Sequence, residues 1–328
     1  MMLVTGGAVL IGSHLAESLV ARGNFVVAID DFSTDSFDNL LSLRPSPRFE
    51  FVLGTALNRE IMEPLVRDAD VVYHLAAAVG VQLVVDSPIQ AIETNVRASE
   101  VVLDLATKYK KRVLITSTSE VYGKRRNVPF REDDDLVLGS PDMGRWSYAC
   151  SKLLDEFRAI AAYRERGVPT VVTRLFNVVG RRQTSRYGMV VPNFVRQALS
   201  GEEMRVFGSG SQTRCFMHVN DAVETLIALA EHPEANGEVY NVGSTEEITI
   251  LDLANKIRAM TGSHSPLSLV PYEVAYKAGF EDMMRRVPDR TKLERLLGQR
   301  RAKSLDAALG DIIDYHARLP LPERLASD

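Results

Sequence analysis

The chain reads as an α/β protein: a doubly wound parallel sheet wrapped by helices, completed by a smaller mixed α/β lobe. Three observations predict this. Short apolar runs alternate with helix-length amphipathic segments, a glycine-rich turn separates the first run from the first helix, and the rhythm breaks past about Asn177. The expected strands are Met2 to Thr5, Phe25 to Ile29, Val71 to Leu75, Arg112 to Thr116 and Thr170 to Arg174. The first three are mostly apolar, as strands covered on both faces must be, and the last two carry an apolar centre, Val113-Leu114-Ile115 and Val171-Val172. The first helix places Ile11, Leu15 and Leu19 on one stripe and ends at Gly23, the residue suited to a left-handed cap. Beyond Asn177, the segments Arg205 to Phe207, Cys215 to Val219 and Val239 to Val242, with helices near Val190 to Leu199 and Ile250 to Thr261, suggest the smaller lobe. We expect residues 1–176 to form the sheet domain and 177–328 the lobe, with chain exchanged between them as about 214–244 returns to the first. With no internal repeat or long linker, a cleft between two closely packed lobes is the natural ligand site.

Composition narrows the partners. A chain of 328 residues that is 45% hydrophobic buries a sizeable core. A net charge of −4 and a pI near 5.9 argue against a nucleic-acid partner while leaving room for a local basic pocket. The start enters a strand at once and no run is long enough to cross a bilayer, so no membrane partner and a cytoplasmic location are expected. Cys150 and Cys215, like His14, His74 and His218, lack metal-ligand spacing, so no metal is expected and the cysteines read as packing residues.

After the first strand comes Thr5-Gly6-Gly7-Ala8-Val9-Leu10-Ile11-Gly12-Ser13-His14, then the helix, then a second strand ending in Asp30-Asp31. This order resembles the dinucleotide fingerprint of a Rossmann-type fold. Gly6 and Gly7 permit the tight turn, and Gly12 lets the helix pack against the strand. Leu10 and Ile11 open the helix whose N–H groups face a pyrophosphate. Asp30, with Asp31 beside it, accepts from ribose hydroxyls and repels a 2′-phosphate, which favours NAD over NADP. Val9 stands where the spacing expects a glycine, so a slightly displaced or more weakly held cofactor is expected.

The chemistry sits in Thr116-Ser117-Thr118-Ser119-Glu120-Val121-Tyr122-Gly123 and in Tyr148-Ala149-Cys150-Ser151-Lys152. A Tyr and a Lys four apart share a helix face, so the ammonium is expected beside the phenol, lowering its pKa. From about 10, a drop of roughly three units makes the phenol a base near neutral pH.

With the glycine turn, Thr118 and the Tyr148/Lys152 pair in place, the chain resembles the extended short-chain dehydrogenase/reductases of the nucleotide-sugar epimerase, dehydratase and decarboxylase group, most of all the UDP-glucuronic acid decarboxylases. Further matching stretches are His74-Leu75-Ala76-Ala77, Asn95, Arg174-Leu175-Phe176-Asn177, Val206-Phe207-Gly208, Arg214 and Tyr240-Asn241-Val242-Gly243, while Arg285-Arg286-Val287-Pro288-Asp289 resembles an arginine motif of the decarboxylase branch. The resemblance implies that His74, Leu75, Ala76 and Ala77 line NAD, that Asn177 and Arg214 hold the diphosphate of a UDP-sugar, and that the backbone near Val206 and Phe207 meets the base. Thr55 stands where the family usually places an aspartate for adenine. Asn95 is expected to serve a buried water bridge.

The implied reaction begins with Tyr148 taking the C4 hydroxyl proton while hydride leaves for NAD, stabilised by Lys152. Thr118 and Ser119 polarise the C4 oxygen, Glu120 manages the carboxylate and the proton at C5, and Arg286 supplies positive charge. Oxidation of UDP-glucuronate at C4 makes a β-keto acid that loses CO2, and hydride return gives UDP-xylose or, if return is slow, UDP-4-keto-pentose departs. Two readings stand beside it. A 4-epimerase is favoured by Gly180-Arg181-Arg182-Gln183 and Arg186-Tyr187-Gly188-Met189, which resemble chains so described, and a 4,6-dehydratase is also served by Thr118-Ser119-Glu120. The resemblance implies a homodimer through a four-helix interface, built from the helices near Ala98 to Tyr109 and Ser151 to Arg164.

Overall fold

The computed structural model of the protein describes residues 1–34, 36–80, 84, 87–185, 189–275 and 281–319. Arg186, Tyr187 and Gly188 of the epimerase-like stretch lie outside them. Seven strands form one parallel sheet: β1 (Met2–Thr5), β2 (Val26–Asp30), β3 (Phe49–Leu53), β4 (Val71–His74), β5 (Arg112–Thr118), β6 (Thr170–Leu175) and β7 (Glu238–Val242). Their spatial order is β3-β2-β1-β4-β5-β6-β7, so the winding reverses between β1 and β4. In such sheets the ligand crevice opens at that switch point, past the carboxyl ends of the strands.

The helices are α1 (Leu10–Ala21), α2 (Arg59–Asp68), α3 (Pro88–Tyr109), α4 (Trp146–Arg166), α5 (Val190–Ser200), α6 (Val219–Glu231), α7 (Ile250–Met260) and α8 (Leu305–Arg318). Strand alternation sorts the core into two layers. Val4, Tyr73, Leu114 and Val171 pack with Leu15 and Leu19 of α1 and Val223 and Leu226 of α6. Their neighbours Leu3, Val72, Val113 and Val172 pack on the opposite face with Met62 of α2, Val102 and Leu105 of α3 and Ala159 of α4. Burying one such leucine is worth about 1.5–3 kcal/mol. Gly23, at φ +87°, takes the left-handed conformation expected after α1.

Beyond β6, Val219–Val242 returns to the sheet as α6 and β7, β7 pairing in parallel with β6. The remainder has its own core, in which Phe194, Val206, Leu253 and Leu309 meet. Short strands complete it: Met204–Phe207 runs parallel to Leu267–Val270, and Thr213–Cys215 antiparallel to Glu247–Thr249. Strand β3 is an addition to the sequence reading. No helix among the described residues is long and apolar enough to cross a membrane.

Candidate active site

A cavity of about 1180 Å³ runs from the glycine turn, past the carboxyl ends of β1, β4 and β5, to the smaller lobe. That exceeds the roughly 300–1,000 Å³ of a pocket for one drug-sized ligand and gives room for two.

At one end the turn is built by close approach. A Cβ on Gly12 would stand 2.0 Å from the Gly6 carbonyl oxygen, and one on Gly7 2.6 Å from the Ala28 Cβ. Gly6, at φ +67°, lies against the Ala76 backbone. Val9, the N-cap of α1, is extended at φ −82° and caps no N–H with its side chain, so the first-turn amides are left for a ligand. Its conformation needs no glycine. Gly6, Leu10, Ile11, Leu75, Ala76 and Ala77 line the cavity, as do Asp30, Asp31 and Thr55. Asp30 is committed to the turn: Oδ2 accepts from Ala8 N at 3.0 Å and Oδ1 from Phe32 N at 2.9 Å. Burial holds its pKa above the usual carboxylate value, against those hydrogen bonds. A glycine cradle, uncapped helix amides and a strand-end acid fit a dinucleotide.

Two expectations here are corrected. His74 is fully buried and does not line the cavity; it bridges Thr5 Oγ1 at 2.8 Å and Ser99 Oγ at 3.1 Å, tying β1 and β4 to α3. Asn95 needs no water, because Oδ1 accepts from Ala78 N at 2.7 Å while Nδ2 reaches Ser151 Oγ at 3.2 Å.

At the other end Thr118, Glu120, Tyr148, Lys152 and Arg286 share the cavity wall. Thr118 ends β5 and its Oγ1 accepts from Glu120 N at 3.2 Å, starting the 3-10 turn Ser119–Tyr122. That turn points alternate side chains apart. Ser119 is fully buried behind the wall, where Oγ accepts from Arg286 Nη2 at 2.5 Å, so its expected contact with the C4 oxygen is replaced by a grip on Arg286. The phenol is also corrected. Burial, then the Glu120 and Asp155 carboxylates, push the Tyr148 pKa up, with Arg286 opposing. The Lys152 ammonium that was to lower it instead donates to Asp155 Oδ2 at 2.7 Å.

In the smaller lobe Asn177, Phe207 and Arg214 line the cavity. Val206 does not: strand alternation turns its side chain into the core and leaves Arg205 and Phe207 at the wall. Asn177 Nδ2 donates to the Cys215 carbonyl at 3.0 Å. Asp282, missed by sequence reasoning, and Arg145, given no role by it, complete the site. Asp282 pairs with Arg214 at 2.8 Å and with Arg145 at 3.3 Å, and Arg145 reaches Glu120 at 3.6 Å. Burial opposes the charged form of Asp282, but Arg214, Arg145, the Tyr272 hydroxyl and Arg286 outweigh it and hold its pKa down. Desolvation brings Arg286 down to about 10, partly offset by Glu120, which leaves it cationic at neutral pH. Among the described residues no cluster of acids, His and Cys could hold a metal.

Comparisons with known proteins show the family. Residues 2–243 match the NAD dependent epimerase/dehydratase family. A UDP-N-acetyl-alpha-D-glucosaminuronate decarboxylase of Bacillus cytotoxicus is 42% identical over 90% of this chain and 90% of its own length. UDP-glucuronic acid decarboxylase 1 of Danio rerio is 35% identical over 97% of this chain and 72% of its own. Among solved structures, a UDP-glucuronic acid 4-epimerase from Bacillus cereus, in complex with UDP-glucuronic acid and NAD, is 30% identical, with a TM-score of 0.86 over 96% of this chain and 98% of that one. The chain belongs to the NAD dependent epimerase/dehydratase family, and NAD is its cofactor.

Proposed function

We propose that the protein is an NAD-dependent decarboxylase of a UDP-hexuronate, which oxidises C4, loses CO2 from the 4-keto acid and takes hydride back to give a UDP-pentose. The observation that carries this reading is the charge beside Tyr148. Three guanidiniums, Arg145, Arg214 and Arg286, surround two carboxylates, Glu120 and Asp282, and all five are largely or wholly buried. Among these five described groups positive charge is in excess by one, and an excess of buried positive charge favours an anion such as a sugar carboxylate.

When bound, NAD supplies the hydride acceptor and later donor at C4, and a positive charge near the phenol. Tyr148 takes the C4 hydroxyl proton. The Thr118 hydroxyl, which spends only a lone pair on Glu120 N, has its proton free for the C4 oxygen. Arg286 and Arg145 receive the carboxylate. A β-keto acid sends the electrons of its breaking C–C bond into the new carbonyl, so decarboxylation needs little beyond oxidation and positioning. Glu120 carries the proton to C5, Asn177 and Arg214 hold the diphosphate, and the backbone at Phe207 meets the base.

The two decarboxylase relatives differ in the sugar named, one bearing an N-acetyl group, so the test takes both. Purified protein with NAD is given UDP-glucuronate and, separately, UDP-N-acetylglucosaminuronate, and CO2 and product mass are followed. Release of CO2 from either is the expected outcome, UDP-xylose or its 4-keto precursor appearing from the first. A new isomer of unchanged mass would make the enzyme a 4-epimerase, the activity named for the Bacillus cereus protein.

The rest of the reading follows from this assignment. Residues 1–176 with the returning segment hold NAD, and the remainder holds the UDP-sugar. Two copies pair through α3 and α4, whose outer faces expose Ile89, Ile92, Leu154 and Phe157. A cytoplasmic setting suits the free thiols of Cys150 and Cys215.

A further inference from the structure

One acid on the buried face of α4 has no part in the reaction just described. Asp155 lies one turn after Lys152, and the two side chains are sealed from solvent, at 0% and 2% exposure. Lys152 Nζ stands 2.7 Å from Asp155 Oδ2, and Asp155 Oδ1 is buried with no partner among the described residues. Nothing in the helix requires an acid there, since Ala159 and Ala162 fill neighbouring buried positions of the same helix. Burying a carboxylate on this face costs desolvation that packing alone would not demand.

The charged and titratable surroundings of the pair are few. Glu120 comes from the turn after β5, Arg286 from the segment that closes over that turn, and Asp155 from α4 itself; all three act on Tyr148. His74 on β4 faces Lys152. Burial, with the Lys152 charge, lowers its pKa to about 3, so it is neutral and adds no charge near neutral pH.

We propose that Asp155 is a positioning residue of the reaction: it holds the Lys152 ammonium and cancels its charge, so that Tyr148 becomes a base only when the cofactor's own positive charge is added. Proton abstraction is thereby tied to the loaded, oxidised state of the enzyme. A tyrosine ionised by Lys152 alone would be ready before NAD had bound. The proposal rests on Tyr148 being the base.

Asp155→Asn keeps the size of the side chain and removes its charge. In the pH profile of kcat/KM for UDP-hexuronate decarboxylation, the acid limb of this variant is expected about one unit lower than that of the parent, the size of effect a neighbouring charge exerts. A purely structural role would lower activity without moving the limb, and an unmoved or raised limb overturns the proposal. A second readout needs no turnover. The tyrosinate absorbance difference between each protein and its Tyr148→Phe counterpart is titrated without substrate, and Asp155→Asn is expected to ionise Tyr148 at lower pH than the parent. Equal titrations overturn the proposal. If the parent releases no CO2, the functional reading fails, yet this titration still decides the role of Asp155. Should Asp155→Asn not fold, Asp155→Ser, which leaves room for a water, takes its place in both measurements.

Discussion

In the proposed reaction Glu120 is the residue that separates decarboxylation from epimerisation. Its Oε1 lies 3.4 Å from Arg286 Nη1 and 3.6 Å from Arg145 Nη2, so the carboxylate is aimed by two cations while still facing the cavity. Glu120→Gln keeps the shape and removes the proton carrier. Release of CO2 is expected to fall at least about 10²-fold, the usual worth of a positioned acid or base, with KM changed much less. Steady-state kinetics of CO2 release from a UDP-hexuronate checks this, and undiminished release would remove Glu120 as the proton carrier. Ser119→Ala works indirectly. It leaves Arg286 Nη2 without its buried acceptor at a cost of about 1–3 kcal/mol, so KM for the uronate is expected to rise more than kcat falls. At this scale the sequence exposed Thr118 with Glu120, whose spacing alone brings them together, and put Tyr148 and Lys152 on one cavity wall without showing that the ammonium goes to Asp155. Asp282 was hidden because its partners Arg145 and Arg214 are 137 and 68 residues away along the chain, and only folding joins them. Ser119 was misread because one step of a 3-10 turn decides whether a hydroxyl faces ligand or core.

Among the elements, α4 links the chemistry to the sheet. Tyr148, Lys152 and Glu156 recur every four residues on one face, and the last is structural. Glu156 takes the Arg174 guanidinium at 2.8 Å and accepts from the Ser117 hydroxyl, while Arg174 Nη1 donates to the Tyr122 hydroxyl at 3.0 Å. Helix, β5 and β6 are thus locked together next to the site. Glu156→Ala strands a buried cation, and a loss of about 3–5 kcal/mol is expected in urea unfolding. Replacing Glu156 and Arg174 together by apolar residues of similar volume is expected to cost clearly less, since no charge is then left alone. Interior strands were legible because both faces are covered and each carries a central run of apolar residues. Strand β3 was not, because at its edge of the sheet the burial is broken: Phe49 and Phe51 are half-buried while Glu50 and Leu53 are exposed, so no continuous apolar run marks it.

For the whole molecule, burial of neutral histidines sets the acid side of stability. Burial lowers the His74 pKa to about 3 and that of His14 to about 4, against 6.5 for the free side chain. Both folded values are depressed, so the unfolded chain binds more protons as pH falls below 6.5, and the stability present above that pH is lost progressively towards 4 and 3. At pH 5 the loss is about 2 kcal/mol for each histidine, and the urea midpoint is expected to fall between pH 7 and 5 accordingly. The same packing bears on the pairing of two copies proposed above. Helices α3 and α4 lie side by side over one face of the sheet, so their inner stripes are buried by the protein itself and only their outer stripes remain. There Ile89 and Phe157 are 73% and 66% exposed, with Ile92 and Leu154 nearby in sequence. A two-fold axis brings such a helix pair onto its own copy, covering the apolar stripe with an identical one. Phe157→Glu places a charge on that stripe without touching the core, so the variant is expected to keep its helical circular dichroism and sediment as a monomer where the parent sediments as a dimer. A monomeric parent would refute the interface. Because Tyr148 and Lys152 ride on the same helix, the monomeric variant is also expected to turn over more slowly, and recovery of rate at high protein concentration would tie that loss to association rather than to damage at the site.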